Sequence, residues 1–188
     1  MEVMFHLVFE IIKIVILSAI YSGALLILLS VFAKFSPGSR VAKLLVNKRK
    51  FFGKSLPVLW LALFIYLFTY WGDHGFGDTS ILPIGHHKVV NRINSESSYI
   101  EDQHGKQLTI ERFLYSEDYL FAVISKDFEQ NKNDLVVWDL KTSKWKFYQK
   151  QDYLIIANQN NYPLPGNFKD YDYQYNKYWN GWRFWLLP

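Results

Sequence analysis

The sequence predicts two membrane-spanning helices followed by a β-rich, α+β domain, and three observations carry that prediction. Two apolar stretches without a charge lie within the first 71 residues. A segment rich in Lys and Arg, and free of acids, separates them. The remainder is a succession of short β-branched and aromatic runs broken by polar turns. The expected division is a two-helix transmembrane hairpin over 1–71, with a basic cytoplasmic loop at 34–55, and an extracytoplasmic domain over 72–188 that ends in an aromatic tail.

The first stretch, 14–33, reads IVILSAIYSGALLILLSVFA. At a rise of about 1.5 Å per residue it is long enough for a hydrocarbon core of about 30 Å. Backbone groups at that depth must pair within their own segment, so helix is the expected form. A cleaved signal peptide is the competing reading. It lacks support: there is no basic n-region, the apolar run exceeds an h-region, and no A-x-A site precedes Lys34. The second stretch, 56–71, reads LPVLWLALFIYLFTYW. Ser55 is its expected N-cap and Pro57 falls in the expected first turn, where a missing N–H is tolerated. Trp60 at one end, with Tyr70 and Trp71 at the other, matches aromatic belts at two interfaces.

Orientation follows from residues 34–55, which hold seven bases (Lys34, Arg40, Lys43, Lys48, Arg49, Lys50 and Lys54) and no acid. Short loops of this kind stay in the cytoplasm. Both termini are then expected outside the cell membrane, with everything after Trp71 exported. A short amphipathic helix over 41–52 is expected to lie on the headgroups.

The same clustering argues against a nucleic-acid partner, because the basic excess is confined to one loop between two apolar segments. The chain has no cysteine, which excludes disulfides, Cys-ligated zinc and thiol nucleophiles. It contains no G-x-S-x-G elbow and neither a Walker nor a Rossmann glycine pattern. No cofactor and no catalytic residue is expected.

Three places hold side chains that could do more than fold. His6, Glu10 and Lys13 share one helical face at the outer membrane edge. They read as a snorkelling ion pair, with a proton relay or partner contact as the sharper alternative. Ser18 with Ser22, and Ala19 with Gly23, are small pairs four residues apart, suited to close approach by the chain's own second helix or, as the second candidate, by a foreign membrane subunit. Next, residues 72–87, GDHGFGDTSILPIGHH, are expected to form an irregular loop at the membrane exit. Asp73, His74, Asp78 and His86 there form the candidate metal or functional loop. Glycine and aspartate are also what any tight turn needs.

Beyond this loop, strands are expected at 88–93, 98–101, 108–114, 119–125, 135–140 and 145–148, making an antiparallel meander of four to six strands. Residues 151–160, QDYLIIANQN, read as a strand or a short helix; Asp152 as N-cap and the Asn run before Pro163 favour the helix, which would cover one sheet face. In the tail, 168–185, half of the residues are Phe, Tyr or Trp. Three roles compete for it: domain core, a layer on the outer leaflet, or recognition through Trp179, Trp182 and Trp185.

Taken together, these features suggest a non-catalytic, multi-pass accessory protein whose partners are the lipid bilayer and another protein. The alternatives are an envelope sensor binding a glycan or lipid through the tail, and a metal-dependent hydrolase at the Gly/Asp/His loop.

Overall fold

The computed structural model describes residues 2–72, 79–93, 97–125 and 134–188, with side chains from residue 8 onward. Asp73, His74 and Asp78 lie outside the described residues, as does the side chain of His6. The chain divides into two compact units. One comprises residues 1–73 and 181–188, the other residues 74–180.

The first unit is built on α1 (Glu2–Phe35) and α3 (Lys48–Leu67), which pack against each other through the connector α2 (Arg40–Leu44) and a 3-10 turn at Leu45–Asn47. Both long helices have the length and apolar composition needed to cross a membrane. At 34 residues α1 is about 50 Å long, more than a bilayer core requires. Glu10, Ile14, Leu17, Ser18 and Ser22 are buried along one face of α1, at the 3–4-residue spacing of a helical stripe. The opposite flank, including Ile12, Ile16, Ile20, Ile27 and Leu28, is exposed. Two helix hydroxyls bond locally, Ser18 donating to the Val15 carbonyl at 2.8 Å and Ser30 to that of Leu26 at 2.6 Å, whereas the buried Ser22 hydroxyl has no partner among the described residues. Where a Cβ on Gly23 would stand there is open space, so the Ser18–Ser22 pair, rather than Ala19–Gly23, lies in the packed seam.

Helix α3 starts earlier than the sequence suggests. Asn47, not Ser55, is its N-cap, accepting the Lys50 N–H at 2.9 Å. Ser55 instead donates to the Phe52 carbonyl at 3.1 Å, and Pro57 sits inside the helix. The good helix formers of KRKFFGK carry the helix up to the proline, whose missing donor removes one backbone bond. The expected amphipathic helix over 41–52 is therefore split, its second half belonging to α3. At the other end α3 stops at Leu67, four residues before Trp71. Gly72 explains the tight exit: a Cβ there would fall 2.4 Å from the Leu67 carbonyl oxygen, so only glycine fits against the helix end.

The second unit is a seven-stranded antiparallel sheet in sequential order, β1 (Thr79–Gly85), β2 (Lys88–Ile93), β3 (Ser97–Glu101), β4 (Gln107–Tyr115), β5 (Tyr119–Ile124), β6 (Leu135–Asp139) and β7 (Lys144–Tyr148). Six strands match the expected ones to within one or two residues. The seventh, β1, replaces part of the expected irregular loop. Pro83 and Gly85 disguise it, yet β1 is an edge strand, where a proline without an N–H is tolerated. Central β5 and β6 bury both faces, which is why YLFAVI and LVVWD read as continuous apolar runs. One face carries the larger core, running from Leu82 and Val90 through Ile110 and Phe113 to Trp138. Phe121, Leu135 and Val137 face the other way.

Each face has its own helix. Helix α4 (Lys150–Asn160) supplies Tyr153 and Ala157 to the smaller core. Its N-cap is Gln149 rather than Asp152, and the Asp134 carboxylate accepts the first-turn Lys150 N–H at 3.1 Å. Asp152 falls in the first turn, where its charge suits the helix dipole. Helix α5 (Tyr171–Trp179), capped by Asp170 accepting the Tyr173 N–H at 2.8 Å, places Tyr171, Tyr175 and Tyr178 against the larger core. Half of the aromatic tail is thus core. The expected turn between two Trp-bearing strands is present at β6–β7, where Trp138 and Trp145 are paired across the strands with rings 6.0 Å apart.

Two substitutions test this packing by denaturant unfolding of the full chain in detergent. Phe113 is wholly buried, so Phe113→Ala should cost about 3–5 kcal/mol. Tyr153 donates to the Pro163 carbonyl at 2.7 Å, and Tyr153→Phe should cost about 1 kcal/mol. Equal losses would mean that Phe113 is not a core anchor.

Candidate functional site

Of the sequence-selected side chains, Glu10 and Lys13 come together in the helical unit. Glu10 is buried, with one carboxylate oxygen 3.9 Å from the Lys13 amine and the other, Oε2, without a hydrogen-bond partner among the described residues. A buried carboxylate oxygen without a partner is costly. Lys13 also lies 5.1 Å from the centre of the Phe184 ring, a cation–π distance.

Phe184 belongs to the short helix α6 (Trp182–Leu186), which follows a break at Asn180–Gly181. Gly181 has a φ of 75°, a backbone state that costs glycine little. Tyr21 donates its hydroxyl to the Leu186 carbonyl, fixing α6 on α1 a second time. Trp182 and Trp185 are exposed, at 59% and 73%. Trp179 differs from them. It is buried in the sheet unit, and its indole N–H donates to the Ile81 carbonyl at 3.2 Å.

His86 occupies the two-residue turn between β1 and β2, with His87 beside it. Their φ values of 48° and 56° are those of the hairpin turn whose twist matches the flanking strands. The turn reaches the β4–β5 loop, where the His86 Nε2 stands 3.2 Å from the Asp118 carboxylate. Lys141, from the β6–β7 turn, approaches the same carboxylate at 2.9 Å. The hydrogen bond from Lys141, and secondarily that from His86, holds Asp118 below the usual carboxylate range, while Asp118 raises Lys141. One carboxylate thus ties together three turns. Among the described residues no group of three or more His, Asp or Glu side chains is placed to hold a metal ion.

Sequence reasoning missed a polar cleft of about 290 Å³ between the β2–β4 region and the start of α5. Arg92 pairs there with Asp172 and lies over the Tyr171 ring at 5.3 Å, and the Tyr171 hydroxyl accepts from Ser80 at 3.0 Å. Ser98, Thr109 and Ser125 complete a lining of hydroxyls. Asp170, Asp172 and Glu111 give the lining a negative balance that opposes an anion. Its residues are up to 80 positions apart, and no local pattern announces their meeting.

No protein-family model matches this chain, and neither a curated protein nor a solved structure does.

The Asp118 cluster and Glu10 each make a prediction. Because the folded pKa of Asp118 is depressed, whatever stability its pairing contributes is present above the ordinary carboxylate pKa. It is lost as the pH falls through the lowered value. In a carboxylate NMR titration, Lys141→Ala should return Asp118 toward its ordinary pKa, and His86→Ala should do so by less. An unmoved Asp118 in Lys141→Ala would show the pair to be absent in solution. Glu10→Leu should raise thermal stability in detergent, by about 1 kcal/mol or more, since it removes an unsatisfied buried carboxylate. A lowered melting temperature would mean that this oxygen is engaged in the assembled protein.

Proposed function

We propose that the chain is a two-span integral membrane protein with both termini and the sheet unit on the extracytoplasmic side, acting as a non-catalytic accessory to a partner protein. The exposed apolar flank of α1 is the observation that carries the membrane reading. Glu10, Ser18 and Ser22 are buried together with Ile14 and Leu17, while Ile12, Ile16, Ile20, Ile27 and Leu28 are exposed. A soluble amphipathic helix turns its polar side chains outward instead. Lipid favours the α1 arrangement, because apolar flanks then meet acyl chains while polar side chains meet protein. The seven bases between the spans support a cytoplasmic linker.

The accessory role has narrower support. The Arg92 cleft and the Asp118 cluster are both built from hydrogen-bonding and ion-pairing groups. Such surfaces suit recognition.

The natural absence of cysteine makes the topology test direct. Single cysteines at Gly38 in the linker and Thr142 in the β6–β7 turn should respond oppositely to a membrane-impermeant maleimide on intact cells stripped of outer layers. Thr142→Cys should label, and Gly38→Cys only after the membrane is permeabilised. The reverse pattern would overturn the orientation, and equal labelling the membrane reading. Purification of the tagged full chain in mild detergent should recover a companion protein at fixed stoichiometry. A lone chain in several detergents would overturn the accessory role.

A further inference from the structure

We propose that α6 is a third membrane contact, an interfacial helix that lays Trp182, Phe184 and Trp185 into the headgroup–acyl boundary of the outer leaflet. This rests on the membrane reading above and adds to it a place where the chain returns to lipid after the sheet unit. Residues 181–188 cluster with the helical hairpin, although more than a hundred residues of the other unit precede them.

Depth comes from two contacts. The Lys13 amine stands 5.1 Å from the Phe184 ring centre, and the Tyr21 hydroxyl bonds to the Leu186 carbonyl. Lys13 immediately precedes the uncharged stretch 14–33 and Tyr21 is its eighth residue, so the two contacts lie within about 12 Å of each other along the helix axis. Interfacial helices bury their apolar side chains about 5–10 Å into the headgroup–acyl boundary, a range that this position overlaps.

Composition and exposure agree with the same occupant. In α6 the apolar side chains Trp182, Phe184, Trp185 and Leu186 are all exposed, at 59%, 42%, 73% and 46%. In water such a group is a costly patch, each large side chain leaving about 1.5–3 kcal/mol of burial unrealised. Lys13, which meets Phe184, has the exposed Phe9 and Ile16 as its i−4 and i+3 neighbours on the surface of α1. Tryptophan is the side chain most suited to that boundary, with an apolar ring and one N–H donor. The charges match as well. Residues 181–188 contain Arg183 and no acid, and the guanidinium lies 5.0 Å from the Trp182 ring centre. With Lys13 it places two cations at the level of lipid phosphates.

Accessibility of a nitroxide attached to single cysteines tests the proposal on the full chain in vesicles of phosphatidylethanolamine and phosphatidylglycerol. Trp182→Cys and Trp185→Cys are compared with Ile27→Cys on the α1 flank and Thr142→Cys in the β6–β7 turn. Labels at 182 and 185 should collide with oxygen several-fold more, relative to a water-soluble nickel complex, than the label at 142. Their ratio should stay below that at 27. A ratio equal to that at 142 would place α6 in water and overturn the proposal. Protection from both reagents would place it under protein, with the same consequence. In either case an oxygen-rich label at 27 keeps the membrane reading intact, whereas a label at 27 that behaves like 142 overturns both.

Discussion

The helical unit depends on where α1 puts its few polar atoms. Glu10, Ser18 and Ser22 are buried with Ile14 and Leu17 on one face of α1, and this leaves a flank of Ile, Val, Leu and Phe facing outward. In water that arrangement wastes apolar area and buries carboxylate and hydroxyl, so both costs have the wrong sign. In hydrocarbon the outward flank costs nothing, and small or polar side chains are what let two helices approach. A local hydroxyl-to-carbonyl bond, Ser18 to Val15, satisfies one of these groups without water, while the Ser22 hydroxyl and one Glu10 oxygen have no partner among the described residues. At the other end of the unit the chain leaves α3 so tightly that a single Cβ on Gly72 would collide with the backbone of Tyr66 and Leu67.

The sheet unit solves a different problem. A sequential meander has two faces and two free edges, and a single covering element cannot protect both faces. Here α4 and α5 divide the work, one helix per face, and tyrosine is the main currency of both. Tyr153 and Tyr171 bury their rings while their hydroxyls find the Pro163 carbonyl and the Ser80 hydroxyl. An all-aliphatic helix would fill the same volume without anchoring the loops. The richness of the tail in Phe, Tyr and Trp is thereby divided at Asn180–Gly181: Tyr171, Tyr175 and Tyr178 before the break serve the core, and Trp182 and Trp185 after it are exposed.

Legibility of these features in the sequence tracks how local their causes are. Strands β2 to β7 could be read because runs such as YLFAVI and LVVWD carry their own β-branched and aromatic signal between polar turns. Strand β1 was hidden by Pro83, a residue whose cost depends on whether the strand is an edge, which is a fact of topology. The start of α3 was misread for a similar reason. Ser55–Pro57 has the local form of a helix start, and the better cap at Asn47 wins because the basic segment after it is itself helical. In α5 the Tyr171, Tyr173, Tyr175 alternation imitates a strand, and the helical face of Tyr171, Tyr175 and Tyr178 emerges only against the sheet. The Arg92 cleft and the Asp118 cluster join residues from distant elements, so no window of sequence contains them.

Lys13 shows how one side chain can serve both the seam and the surface. Its amine lies near the Glu10 carboxylate on one side and the Phe184 ring on the other. An ammonium group at a membrane edge must keep partners or water, and a long stem lets it do so while its methylenes stay with apolar neighbours. The face shared by Glu10 and Lys13 was legible from spacing alone. Phe184 was not, because 171 residues separate it from Lys13. A merely snorkelling lysine would point away from the hairpin. This one faces an aromatic ring of the returning chain, which makes the polar edge of α1 part of the surface that receives α6.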